Sequence, residues 1–135
     1  MRFDTPFKVI IILFAISSCT KGDDDFIIVS SLDQIQGLWE WESTCGGLIF
    51  TCGYPSDSNF QSIEFTSDHY FVEKHNDTLY FSAPYAISKT NNTDGRLIIY
   101  EVGTSDTLSN RPINLVDNRL IISAGELAFS YKKIK

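Results

Sequence analysis

The chain has 135 residues, of which 43% are hydrophobic and 13% aromatic, enough apolar material for one packed domain. Its net charge of −6 argues against nucleic-acid binding, which needs basic patches to neutralise phosphates. It argues equally against electrostatic docking on anionic lipid.

In chain order, Arg2 and Lys8 form a modestly basic start, diluted by Asp4, ahead of the unbroken apolar run Val9 to Ile16. That run is shorter than the roughly 20 residues a membrane-spanning helix needs, so residues 1–18 read as a cleaved signal peptide. Ile16-Ser17-Ser18-Cys19 resembles the bacterial lipobox, in which the cysteine is acylated and becomes the first mature residue. The resemblance implies that Cys19 is lipidated and that the membrane is a partner. An ordinary secretory signal with an incidental cysteine is the alternative. Thr20 to Asp25 ends in three adjacent aspartates and reads as a solvated spacer. A Ca²⁺ site is the sharper reading, but it needs a loop that wraps the ion. An acidic run just after the lipidated cysteine resembles the surface-export signal of Bacteroidota-type lipoproteins. It implies an outer-membrane location, facing either the periplasm or the surface. Residues 19–32 are thus a lipid-anchored acidic linker. Within it, Phe26 to Val29 is either a first strand or a segment lying against the body, followed by one helical turn capped by Ser30 or Ser31.

The body, residues 33–135, opens with Gly37-Leu38-Trp39-Glu40-Trp41-Glu42. Alternation along a strand sends the two indoles inward and the two carboxylates outward. A long irregular loop is expected from Thr44 to Asn59, with Gly46, Gly47, Gly53 and Pro55. Strands follow at Phe60–Phe65, His69–His75, Thr78–Ser88, Arg96–Val102, within Thr107–Leu115, at Arg119–Ser123 and at Leu127–Ile134. Leu79, Phe81, Tyr85 and Ile87 are expected on one face; Pro84 implies a bulge, break or edge, and Pro112 an interruption. Lys89 to Gly95 reads as a polar loop, and Asn76-Asp77 as a tight turn. No stretch after residue 36 shows a 3.6-residue apolar period, and turns recur about every ten residues. The pattern is an all-β, antiparallel up-and-down meander, a barrel or a sandwich, of roughly eight strands. An eight-stranded barrel holds side chains or one small ligand.

Gly37-Leu38-Trp39 resembles the Gly-x-Trp that opens the first strand of lipocalins. Gly46-Gly47, Pro55, Ile63-Glu64-Phe65, Tyr85-Ala86-Ile87, Arg119 to Ile122 and Tyr131-Lys132 extend the likeness to the small lipocalin-like lipoproteins of Bacteroidota. The resemblance spans roughly residues 33 to 135 and implies a lipocalin-like β-barrel whose Trp39 closes the floor. Lipocalins proper place an arginine from near the last strand over that Trp. Here only Lys132, Lys133 and Lys135 stand near the end.

Chemistry-bearing constellations are sparse. Cys45 and Cys52 bracket a short glycine-containing loop and are expected to form a disulfide in an exported protein; two free thiols are the alternative. His69 and His75 lie roughly 20 Å apart in an extended strand, too far for one metal ion without a bulge. Glu40 and Glu42, about 6.6 Å apart, match a glycosidase carboxylate spacing but read better as a solvated face. No nucleophilic triad, nucleotide loop or zinc motif is present in the sequence, so no enzyme, metal or cofactor is expected. Asp77-Thr78-Leu79 and Asp106-Thr107-Leu108 resemble Bacteroidota O-glycosylation sites at Thr78 and Thr107, with plain turn chemistry as the alternative. Trp39, Trp41, Phe65, Phe81, Tyr85, Phe129 and Tyr131 are the expected inward residues, forming the barrel floor or a ligand pocket. The expected protein is a lipid-anchored, non-enzymatic barrel at the outer membrane that binds a small apolar ligand. If the core is filled instead, it is a protein- or glycan-interaction module acting through the loops Thr44–Asn59 and Lys89–Gly95.

Overall fold

Alternation of apolar and polar residues along the chain becomes one antiparallel sheet that closes on itself. The computed structural model describes residues 26–29, 31–90 and 94–135. The expected signal peptide, Cys19, the aspartate run and Ser30 lie outside the described residues.

A short strand β1 (Phe26–Ile28) and a 3₁₀ turn (Leu32–Gln34) lead into β2 (Gly37–Gly46) and the short β3 (Thr51–Gly53). Then come β4 (Gln61–Phe65), β5 (Tyr70–His75), β6 (Thr78–Thr90) and β7 (Asp94–Tyr100). The chain ends with β8 (Thr107–Val116), β9 (Arg119–Ala124) and β10 (Leu127–Lys133). Strands β2 and β4 to β10 pair in sequence, and β10 returns to β2 to close an eight-stranded barrel. Closure leaves no full-length strand edge exposed to pair with another chain. Asn76-Asp77 and Asp117-Asn118 take positive φ at both positions, the conformation of two-residue hairpin turns whose twist matches that of the strands.

The structure corrects several boundaries. β1 pairs with the end of β8, and Val29 is fully buried, so the barrel domain starts by Phe26 rather than at residue 33. The expected irregular loop from Thr44 is partly a hairpin, because β2 runs on to Gly46 and pairs with β3. The expected loop Lys89–Gly95 shrinks to a hairpin tip: Lys89 pairs with Gly95 and Thr90 with Asp94, while residues 91–93 lie outside the described residues.

Neither proline breaks its strand. Pro84 pairs with Tyr70 of β5, and β7 takes up β6 only from Tyr85 onward. The Tyr85 N–H donates to His69 O on the β5 side (3.0 Å), so the nitrogen of Pro84 faces the other edge, where no ladder exists. Pro112 pairs with Arg96 of β7, one residue before β9 joins β8 at Ile113. Both prolines mark places where a staggered strand changes partner.

Three bulges also shift the side-chain alternation, one of them on β8, where Ile99 faces Ser109 but Tyr100 faces Thr107 and Leu108 is the extra residue. The β5–β6 register slips so that Glu73 faces Phe81 but Lys74 faces Leu79. Tyr80 is the extra residue, and Leu79 turns outward, against the expectation that it shares a face with Phe81, Tyr85 and Ile87. A third slip opposite Ser130 and Tyr131 leaves Glu42 unpaired on β2, so the inward row passes from Trp39 and Trp41 to Thr44. Trp41 Nε1 donates to Thr44 Oγ1 across that bulge at 2.9 Å.

The core is not centred. Trp39, Ile63, Phe65, Leu120, Ile35 and Val29 are among its most completely buried side chains, and they fill the end where β2 begins and β4 and β10 finish. Trp39 Nε1 donates to Ile35 O at 2.7 Å, and Lys133 Nζ lies 5.4 Å from the Trp39 ring centroid. That lysine supplies the cation over the indole. The C-terminal residues then cross the start of β2, with Ile134 N–H donating to Leu38 O at 2.8 Å. Gly37 is required there: its φ is +121°, and a Cβ would lie 2.1 Å from Lys135 O. This end is sealed.

Candidate functional site

At the opposite end the side chains stop short of filling the barrel. In an up-and-down barrel the turns alternate between ends, so the β2–β3, β5–β6, β7–β8 and β9–β10 connections share this open end. A cavity of about 400 Å³ occupies it. Its apolar wall comes from Phe71, Phe81, Leu97, Ile99, Ile122 and Phe129. Stagger creates the space. β8 pairs with β9 only from Ile113 onward, so Thr107 to Pro112 has no partner on that edge. Thr78 to Pro84 of β6 likewise has none on the β7 side.

The polar groups in the cavity are few and specific. Gln61, Glu73, Ser109 and Arg111 line it, together with Tyr131. Glu73 faces inward because it pairs with Phe81, and its Oε1 lies 2.6 Å from His75 Nε2. The His75 ring stacks on Tyr80 with centroids 4.1 Å apart, forming one side of the rim. Arg111 shares strand parity with the buried Ile113 and makes no ion pair with any described residue. Burial pushes the Tyr131 phenol well above its ordinary value of 10.0; the charge of Glu73 pushes it further, and Arg111 opposes. The phenol is therefore a neutral hydrogen-bonding group at any physiological pH.

Comparison with protein-family models, curated proteins and solved structures finds no match for this chain. The site is read from its own chemistry.

The seven expected inward aromatics divide between the two ends. Trp39, Trp41, Phe65 and Tyr85 are buried in the filled part, where Phe65 and Tyr85 meet edge-to-face at 5.1 Å between centroids. Phe81, Phe129 and Tyr131 line the cavity. Neither a wholly filled core nor a wholly open pocket describes the interior. Glu73, Ser109 and Arg111 are absent from the expected set. Arg111 alternates with Ile113, a signal hidden by reading Pro112 as a strand interruption; Glu73 alternates with Phe71, but its charge suggests an outward side chain.

The remaining candidates fall elsewhere. A disulfide joins Cys45 and Cys52, which face each other across β2 and β3 with Cα atoms 4.1 Å apart. Thr78 and Thr107 are exposed first residues of β6 and β8, at turns of the open end. His69 and His75 sit at opposite ends of the barrel. Among the described residues no three His, Cys, Asp or Glu side chains are grouped to hold a metal. Glu42 pairs with Arg119 (2.5 Å) and Glu40 with Lys132 (3.6 Å) on the outer face, as a solvated ladder.

Proposed function

We propose that the chain is a lipid-anchored binding protein of the cell envelope, carrying in its open half a small apolar ligand with an anionic end. The cavity carries the reading. Its volume of about 400 Å³ falls in the range of small-molecule sites, and it combines an aromatic wall with a few polar groups. Arg111 is the cation available to a carboxylate or sulfonate at the mouth, while Glu73 is already engaged by His75. The Tyr131 hydroxyl adds a neutral donor in the cavity. The role is binding rather than catalysis, since the arrangement offers orientation and charge pairing. The lipobox-like Ser17-Ser18-Cys19 supports the anchor, with residues 1–18 removed. β1 enters beside the β8–β9 turn, at the sealed end of the barrel.

The test uses 1-anilinonaphthalene-8-sulfonate, an aromatic body with one anionic group, and its uncharged analogue N-phenylnaphthylamine. The sulfonate dye should bind saturably with one-to-one stoichiometry. Ser109→Phe, which fills the cavity from an inward position, should abolish binding of both dyes with the circular dichroism spectrum retained. Arg111→Gln should weaken the sulfonate dye about tenfold, the worth of one charge-assisted hydrogen bond, and leave the neutral dye unchanged. Undiminished binding by folded Ser109→Phe would place the dye outside the barrel and sink the proposal. Metabolic labelling with a fatty-acid analogue, lost in Cys19→Ala, checks the anchor separately.

A further inference from the structure

The exposed large apolar side chains of this protein are not scattered. Among the described residues eleven are exposed, and nine of them lie at the open end: Leu48, Ile49, Phe50, Tyr54, Leu79, Tyr80, Val102, Leu108 and Leu127. The other two described ones, Tyr70 and Ile134, lie at the sealed end. The nine come from the four turns that surround the mouth and the strand ends beside them, with Tyr54 in the β3–β4 connection. Single exposed hydrophobic residues are ordinary on a surface, but an apolar rim gathered around a cavity mouth marks an interaction surface.

The most prominent part is the β2–β3 tip. Leu48, Ile49 and Phe50 are 98%, 87% and 77% exposed. No charged residue occurs from Thr44 to Ser56, in a chain that is 21% charged. The Cys45–Cys52 disulfide staples the hairpin directly behind the tip. Phe50 holds a left-handed backbone (φ 43°), costly for a bulky residue, and its N–H closes the turn onto Gly47 O at 3.0 Å. A solvated loop needs none of this.

We infer that the open end docks on the surface of a lipid bilayer with zwitterionic headgroups. Shape selects lipid over a protein partner. The apolar groups form an interrupted ring around a hole, and the Leu48–Phe50 tip is convex. A protein would need an annular complement, with a fully packed centre to supply hot spots. A bilayer accepts separate apolar wedges at headgroup depth, and a mouth facing it admits an apolar molecule without passage through water. Charge selects the lipid. Asp77, Glu101, Asp106 and Glu126 lie in these turns and Asp57 in the β3–β4 connection, so anionic headgroups are repelled and the ammonium groups of zwitterionic ones are matched. The inference does not depend on acylation of Cys19 or on any cavity ligand.

The test reads the rim locally in the full chain, so that the apolar residues 9–16 do not confound it. Phe50→Trp and, separately, Val102→Trp place reporters on two different connections. With phosphatidylcholine vesicles both should shift to the blue and be quenched by brominated acyl chains beyond the background of Trp39 and Trp41. Replacing half the lipid with phosphatidylglycerol at low salt should reduce both signals. Adding Leu48→Ser and Ile49→Ser to the Val102→Trp chain should return its quenching to background. Unshifted reporters with every vesicle overturn the inference, as does quenching only by anionic lipid. Concentration-dependent self-association without lipid that is lost with the two serines would instead assign the rim to a second copy of the chain.

Discussion

Replacing Trp39 by Phe separates the sealed end from the open one. The substitution deletes the Nε1–H that donates to Ile35 O at 2.7 Å and leaves a fully buried residue with an unpaired carbonyl, at a cost of about 1–3 kcal/mol. Loss of indole area adds about 1 kcal/mol, and a weaker face for Lys133, 5.4 Å from the ring centroid, adds less than about 1 kcal/mol. The groups touch one another, so the contributions are not strictly additive, and roughly 3 kcal/mol is the expected total. A domain with the usual 5–15 kcal/mol stays folded. Urea unfolding should report the loss at unchanged m-value, with Tm lower by on the order of 10–20 °C. Dye affinity at 20 °C should be unchanged, because Trp39 does not line the cavity. A stability loss below about 1 kcal/mol would refute the floor-plug reasoning. A fall in dye affinity in the folded variant would refute the division of the interior.

Three further outcomes follow from the same geometry. Reducing the Cys45–Cys52 bond should cost less than the about 2.5 kcal/mol that loop entropy assigns to so short a closure, because β3 pairs with β2 alone and is free to open without the barrel; limited proteolysis should then appear within residues 47–53, and a larger loss in urea would contradict local opening. Tyr131 and Tyr85 both have phenols raised by burial, so the folded state keeps protons that the unfolded chain releases above about pH 10. Stability should be intact below that pH and fall as pH rises, by up to about 1.4 kcal/mol per pH unit for Tyr131; Tm measured from pH 9 to 11 should show the slope, and Tyr131→Phe should flatten it. The Tyr85 hydroxyl is buried without a protein partner, so Tyr85→Phe should be neutral or stabilising by about 1 kcal/mol, and a clear loss in urea unfolding would show that the hydroxyl is satisfied.

Much of this architecture is written in local pattern. Period-two alternation places Trp39 and Trp41 on one face and Glu40 and Glu42 on the other, whichever strands later pair with them. Asn76-Asp77 and Asp117-Asn118 are turn chemistry that only a tight hairpin accommodates well. Spacing alone brings Cys45 opposite Cys52 once a hairpin forms between them. The meander, the identity of the inward aromatics and the Cys45–Cys52 pairing are therefore properties of short segments, although the β2–β3 hairpin itself reads in sequence as an irregular loop.

What no segment contains is the level of one strand against the next. Alternation says which side a residue faces, not how far along the barrel it sits. That height is set by the register of eight pairings, which must close together. Three bulges, at Glu42, Tyr80 and Leu108, alter the count. Pro84 and Pro112 illustrate the difference: sequence leaves Pro84 open between bulge, break and edge and reads Pro112 as an interruption, yet each occupies the unpaired edge that stagger leaves beside a continuing strand. The same stagger concentrates bulky side chains around Trp39 at one end and leaves Glu73, Ser109, Arg111 and Tyr131 around a hollow at the other. Sequence determined an all-β meander with aromatic residues on its inner face. Only closure, acting through contacts far apart in the chain, decided which end is solid and which is open.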